Sequence, residues 1–447
     1  MKKIILVCIS TCFFLVTRGQ EKTMNLSLEE AVNFAIENSY NTKASKNDIK
    51  SANKKVWETT TIGLPQINGK IDYQNWLKQQ VSLLPAEIAG GPPGTFVPVT
   101  FSTQQNISAA VTLKQLLFDG SYLVGLQASR TYLKISKQAN EKTELLTREA
   151  VINAYGNVLV VENSITILDG NIKILKKNLS DAKKIYENGF NEEEDVEQLE
   201  ITLGNLNSQL NSVKRMKGIA YKMLNLSLGN SIETQLTLTD SLDSLAENNI
   251  ALSLVSKEFN SSNHIDFKIA ENDRESKRLL MRLEQSKALP TLSAFVNYGT
   301  RGYSESFSFL KSDQNWYNSS LLGVSLNIPI FSSLGRSSRT AQAKIALETA
   351  DIRLEETKQR LNLLAEKAKS EYQLSIENYS TAKRNVGLSE RIEKKQRIKF
   401  FEGISSSFDL LQAQNQLYAQ QQNYIQSMLD VIAKKAALEN ALNLPIK

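Results

Sequence analysis

One order of landmarks occurs twice along this chain, and no other feature of it narrows the fold as far. GLPQINGKIDY at 63–73 returns as ALPTLSAFVNY at 288–298, so that Pro65 and Pro290, and likewise Tyr73 and Tyr298, stand 225 residues apart. Asn47-Asp48 and Asn272-Asp273 keep the same offset upstream. AAVTLKQLLFDG at 109–120 returns as LGVSLNIPIFSS at 322–333, with Phe118 and Phe331 213 residues apart. YENGFNEEEDVEQLE at 186–200 returns as FFEGISSSFDLLQAQ at 400–414, with Gly189/Gly403 and Asp195/Asp409 both 214 apart. Landmarks repeated in order imply a repeated structural unit. The offset shrinks because the loop between the two strand-like segments is shorter in the second copy.

Each copy reads helix, strand, loop, strand, long helix, turn, long helix. Ser27-Leu28-Glu29-Glu30 has capping-box spacing ahead of AVNFAI and opens the first helix. Ile107, Ala109, Val111 and Leu113 alternate with Ser108, Ala110, Thr112 and Lys114, and Leu322, Val324, Leu326 and Ile328 with Gly323, Ser325, Asn327 and Pro329. Period two with one apolar face is a strand pattern. The prolines lie at 65, 85, 92, 93, 98, 290, 329 and 445, which leaves 99–289 and 330–444 without a helix breaker. From Gly120 to Gly189 is 69 residues, roughly 100 Å of helix. The predicted first repeat is 20–230, with strands at about 65–76 and 105–118 and long helices at about 120–188 and 192–228. A connector spans 231–250, and the second repeat, 251–447, has strands at about 290–300 and 320–331 and helices at about 335–401 and 406–443.

The long helices carry a narrow apolar seam. Val151, Ala154, Val158, Val161, Ile165, Leu168, Ile172, Leu175, Leu179, Ala182 and Tyr186 follow 3-4 spacing, as do Val196, Leu199, Leu203, Leu206, Leu210, Val213, Ala220 and Leu224 with a break at Lys217. Taken alone, this defines a coiled-coil hairpin of any function, a structural protein of the cell envelope included. A chain only 41% hydrophobic and 7% aromatic fits helices that bury one stripe and wet the rest.

Residues 1–19 read as a secretory signal peptide: Lys2 and Lys3 precede an apolar run from Ile4 to Val16 that is too short for a spanning helix. Both cysteines, Cys8 and Cys12, fall inside it, so disulfide, thiolate-metal and thiol chemistry are not expected of the mature chain. Without the signal, 50 basic residues face 47 acidic ones, a balance that gives nucleic-acid binding no support. His264 is the only histidine and is read as a surface residue at a helix end, with no second ligand for a metal and no nucleophile beside it. No glycine-rich phosphate loop follows a strand, and Glu192 to Asp195 lack EF-hand spacing. No enzyme and no cofactor are expected.

Beyond residue 19 no run of 18 apolar residues occurs, so a membrane crossing would be made by strands. Four strands of about ten residues cannot close a barrel, and open edges are not tolerated in hydrocarbon. Twelve strands from three chains would close and begin to leave a lumen. LSLEEAVNFAIENS, LPQI and LPTL ahead of the odd strands, QLLFDG and IPIFSS at the ends of the even ones, and the glycine turns six residues before Asp195 and Asp409 resemble the TolC family of outer-membrane efflux proteins. The resemblance implies a mainly α-helical homotrimer with a 12-stranded membrane β-barrel continued by a helical periplasmic tunnel. It implies a passive duct in the outer membrane of a Gram-negative bacterium, embedded in outer-membrane lipid. Such a duct exports drugs, small molecules or proteins with a periplasmic adaptor and an inner-membrane pump of RND or ABC type.

That resemblance also implies a periplasmic aperture at the turns of Gly189 and Gly403, ringed by Asp195 and Asp409. Gln412 and Ser405 stand here where the family has a second aspartate and an arginine. An acidic residue in a first helical turn is favoured on macrodipole grounds alone, so capping competes with an aperture role. Tyr73, Trp76, Tyr298, Trp316 and Tyr317 sit near strand ends, as an aromatic girdle or as incidental loop residues. The Pro- and Gly-rich stretch 76–106 reads as a long extracellular loop.

Overall fold

The computed structural model of the protein describes residues 24–189 and 192–444; the expected signal peptide lies outside them. In chain order, β1 (Met24–Leu26), α1 (Leu28–Asn38) and α2 (Tyr40–Thr61) precede β2 (Gln66–Asn75), β3 (Ser82–Pro85), β4 (Phe96–Val99) and β5 (Gln105–Phe118). There follow α3 (Gly120–Glu187), α4 (Glu193–Leu228), β6 (Leu236–Leu238), α5 (Leu242–Asn248) and α6 (Ile265–Ser286). The chain ends with β7 (Thr291–Ser304), β8 (Trp316–Asn327), α7 (Gly335–Phe401) and α8 (Ser407–Ala441). Contacts divide it into two units, one holding 46–140 and 265–359, the other 141–264, 360 onward and the residues before 46.

The first of these units is built on an antiparallel sheet of order β2-β5-β7-β8. Pairing runs Gln66↔Lys114 to Asn75↔Gln105, Gln105↔Ser304 to Phe118↔Leu292, and Thr291↔Asn327 to Gly302↔Trp316, with one irregularity between Leu116 and Phe118. Because directly paired residues share a face, the registers sort the whole sheet. Ile67, Ile71, Ile107, Val111, Val296, Leu322 and Val324 fall on one face, and Lys70, Asp72, Lys114, Arg301 and Asn297 on the other. Ile71 is 74% and Leu322 73% exposed. This apolar face has no core to cover it in the single chain. On the polar face Asn297 Nδ2 donates to Thr112 Oγ1 at 2.7 Å, and the Phe295 ring lies over its partner Gly323, where a Cβ would come within 2.5 Å of it. Strand β8 stands four residues earlier than the predicted 320–331. Pro329 has no N–H for a ladder bond and constrains Ile328, so pairing stops at Asn327.

The other unit is helical. The seam of α3 and α4 is buried where the 3-4 spacing puts it: Leu175, Leu179 and Ala182 pack with Leu199, Leu206 and Leu210, and α8 adds Leu410. A fully buried leucine contributes about 2–3 kcal/mol of apolar burial. A second core joins Val151, Tyr155 and Val158 to Leu224, Leu228, Tyr372, Met428 and Ile432. The break at Lys217 is satisfied on the surface, where its ammonium sits 2.8 Å from Glu162. The capping box of Ser27 and Glu30 starts α1, whose Ala31, Val32 and Ala35 face the core. One small parallel pair was not visible in the sequence: β1 and β6 align Met24↔Leu236, Asn25↔Thr237 and Leu26↔Leu238. His264 is 5% exposed and set edge-on to Phe259 at 6.2 Å, so the surface reading of it does not hold.

The parallel pair is pinned through Tyr155. Its fully buried hydroxyl lies 2.9 Å from both the Leu26 carbonyl and the Asp240 carboxylate, and Asp240 also accepts the Leu28 N–H at 2.7 Å. Burial, with the Asp240 charge adding, pushes this phenol above the ordinary tyrosine range. Tyr155→Phe is expected to weaken the docking of β1 and the start of α1 by about 1–2 kcal/mol. Faster amide hydrogen exchange at Leu26 and Leu28, with the strands of the sheet unchanged, checks it.

Candidate functional site: helix turns and an apolar sheet face

Both long hairpins turn on a glycine in the left-handed region, Gly189 at φ 78° and Gly403 at φ 71°. After α7 the Ile404 N–H reaches back to the Lys399 carbonyl at 2.9 Å and Gly403 N–H to Phe400 at 3.1 Å, a C-cap that only a positive-φ residue closes without strain. The returning helices are tied near their starts: Ser407 Oγ, at the first residue of α8, donates to Gln198 Oε1 in the second turn of α4 at 3.2 Å.

Asp409 is exposed, and its carboxylate is engaged at the start of its own helix. It accepts the Ser406 hydroxyl at 2.9 Å, the Ser406 N–H at 3.3 Å and the Ser405 hydroxyl at 3.2 Å, while its own N–H donates to Ser406 Oγ at 3.2 Å. This is a capping box, and chiefly the Ser406 hydrogen bonds hold the carboxyl below the usual carboxylate range. Ser405 therefore serves as a donor to Asp409. Gln412 is exposed one turn on, and Asp195 is half-buried in the acidic first turn of α4, whose N-cap Glu192 makes no side-chain cap. At neutral pH these turns carry negative charge on helix N-termini, where it is favoured.

Just inside the turn lies a polar layer that sequence reading missed. On α7 Leu361, Ala365, Ala368, Tyr372, Ser375, Tyr379 and Ala382 are buried at 3-4 spacing, and after a step of seven Ser389 and Glu393 continue the stripe toward the turn. Glu393, 6% exposed, lies beside Gln414 of α8, with the Arg397 guanidinium 3.6 Å away. Burial raises its pKa, against the opposing charge of Arg397, and burial with the Glu393 charge pushes Tyr418 up to about 12.

The sheet reorders the expected girdle. Tyr73, Ile107, Gly302 and Trp316 form a single cross-strand row on the apolar face. Tyr298 shares that face four residues deeper, Tyr317 lies on the polar face tilted against Tyr303 at 6.0 Å, and Trp76 follows the end of β2. Two residues unseen in the sequence complete the row. Phe307 and Phe309, from the β7–β8 loop, set their rings edge-on to Tyr73 at 6.0 Å, and Phe309 fills the space left by Gly302. No cluster of three metal-ligating side chains occurs among the described residues.

Residues 261–444 match the family model described as outer membrane efflux protein. No curated protein matches the sequence. Solved structures share the fold over nearly the whole chain. The outer membrane protein VceC of Vibrio cholerae superposes with a TM-score of 0.71 at 13% identity, covering 94% of this chain and 97% of its own. CusC gives 0.74 at 16%, covering 96% and 95%. The CmeC outer membrane channel of Campylobacter jejuni gives 0.72 at 15%, covering 93% and 85%. The chain thus has the fold of outer-membrane channels, and residues 261–444 match the outer membrane efflux protein model, in line with the resemblance its motifs carry.

A raised carboxyl pKa opposes folding above the ordinary carboxylate range, because the native state then resists ionisation that the unfolded chain accepts. Glu393→Gln is expected to stabilise the helical unit at pH 7 and to lose that advantage as pH falls to the ordinary glutamate range. Urea unfolding midpoints of parent and variant at pH 7 and pH 4 measure it; equal differences at both pH values would show that Glu393 is not held toward its neutral form.

Proposed function

We propose that three copies of this chain assemble into one passive duct across the outer membrane and periplasm of a Gram-negative bacterium. The duct is the outer component of a tripartite efflux or type I secretion system. The observation that carries the proposal is the four-stranded sheet with an uncovered apolar face and edges β2 and β8. In hydrocarbon each unpaired backbone group costs several kcal/mol, so β8 of one copy pairs with β2 of the next until twelve strands close. Lipid then meets the face of Ile71, Val111 and Leu322, and the face of Lys70, Asp72, Lys114 and Arg301 lines a wet lumen.

The fold of known outer-membrane channels and the efflux family match over 261–444 support this reading. Its partners are outer-membrane lipid, a periplasmic adaptor, and an inner-membrane pump of RND or ABC type that supplies the energy. The helical hairpins form the periplasmic tunnel, and their turns form its aperture. Three copies place six carboxylates from Asp195 and Asp409 there, and confined like charges draw cations and exclude anions. Asp409 keeps its charge over a wider pH range than an ordinary aspartate because its cap lowers the pKa.

Two measurements test this. The purified protein is expected to be a trimer that conducts in planar bilayers; a stable monomer with protected strand amides would overturn the barrel. Asp195→Ala with Asp409→Ala is expected to lower cation-over-anion selectivity by about threefold or more. Unchanged selectivity would leave both residues as helix-start residues only.

A further inference from the structure

Between β2 and β5 the chain builds a second, small hairpin. β3 and β4 pair Ser82↔Val99, Leu83↔Pro98, Leu84↔Val97 and Pro85↔Phe96. Its turn is held internally: Ala86 N–H donates to Thr95 O at 2.9 Å, Gly91 N–H to Ala86 O at 2.8 Å, and the Thr95 hydroxyl to Pro92 O at 2.7 Å. Gly90 and Gly94 take φ values of 80° and 81°. Residues 77–103 contain only two charges, Lys78 and Glu87. Alternation places Leu83, Pro85, Phe96 and Pro98 on one face, and all four are exposed, Leu83 at 66% and Phe96 at 61%. An ordered scaffold that presents apolar side chains nearly free of charge has the make-up of an interface centre.

We infer that the occupant of this face is the same hairpin of the other two copies, so that three hairpins meet over the outer mouth of the duct as an apolar constriction. The inference rests on the trimeric barrel proposed above. Continuity favours it: the hairpin follows directly on β2, the edge strand of the inter-copy ladder, and Trp76 N–H bonds Gln104 O at 2.8 Å just past the last pair. Reach favours it as well. Strands about 4.8 Å apart and tilted by about 40° give a twelve-stranded barrel a radius of roughly 12 Å, and a strand of four residues spans about as much. Pro85 and Pro98 remove edge donors, so the contact is side-chain packing and not an added strand. Lipid is the poorer occupant, because the hairpin lies beyond the aromatic row of Tyr73 and Trp316 that ends the apolar sheet face.

The test uses the full chain, purified in detergent. The natural cysteines, Cys8 and Cys12, lie in the expected signal segment, so Phe96→Cys and Leu83→Cys, made separately, each place one reactive thiol on the hairpin. Native mass is measured first, then cross-linking after oxidation with copper phenanthroline. The expected result is a trimer in which oxidation links chains in pairs at either position. Leu83→Ser with Phe96→Ser is expected to raise single-channel conductance by at least about twofold. A trimer that cross-links at neither position, or a serine variant that conducts as the parent does, overturns the hairpin contact and leaves the barrel standing. The first of these results would assign the apolar face to an external partner. A protein that forms no trimer overturns both.

Discussion

Every peptide group in a strand offers one donor and one acceptor, and hydrocarbon offers nothing in return. A sheet that is apolar on one face and open along β2 and β8 therefore has only one way to exist in a membrane, which is to find more strands. In the trimer proposed above, assembly would be the remaining part of folding for this unit. The polar face follows from the same geometry, since alternation along the strands puts Lys70, Asp72 and Arg301 on the side opposite the apolar face. Filled positions matter on both faces. Phe295 covers Gly323 and Phe309 covers Gly302, so two glycines that would leave gaps in the pleat are roofed by aromatic rings.

The helical unit solves a different problem. Long helices cannot bury much area per residue, so a long apolar stripe carries the burial, and a buried polar group beneath it stabilises most where it is hydrogen-bonded. Tyr155 with Asp240, Tyr372 with the Asn249 carbonyl and the Ala251 N–H, and Asn171 with Gln421 each meet that condition. The first two tie the connector between the repeats to the long helices, which gives the short β1–β6 pair and α5 a fixed seat although none of them has a core of its own.

Much of this was legible beforehand because it is periodic. The residues from Ile107 to Leu113 at spacing two share one face of β5, and those from Val151 to Ala182 at spacing 3-4 lie along the seam of α3. What stayed hidden was whatever periodicity does not encode. β1 and β6 have three residues each and lie some two hundred residues apart, too short to show a pattern. Phe307 and Phe309 fold back from a loop, and a loop's direction is not written in its composition. Tyr317 sits beside Trp316 in sequence and so, by the pleat, on the opposite face. At the turn, Ser406-Ser407-Phe408-Asp409 has the same cap spacing as Ser27-Leu28-Glu29-Glu30, so the Asp409 cap is legible in the sequence.

The seam of α7 changes character along its length. Leu361, Tyr372 and Tyr379 give way to the polar Ser389 and Glu393, and apolar packing resumes at Phe400, just before Gly403. The polar stretch is therefore enclosed by apolar layers on both sides. Parting the last turns exposes Phe400 and Leu410 before it reaches Glu393, so the hairpin is clasped at its tip instead of fraying toward it.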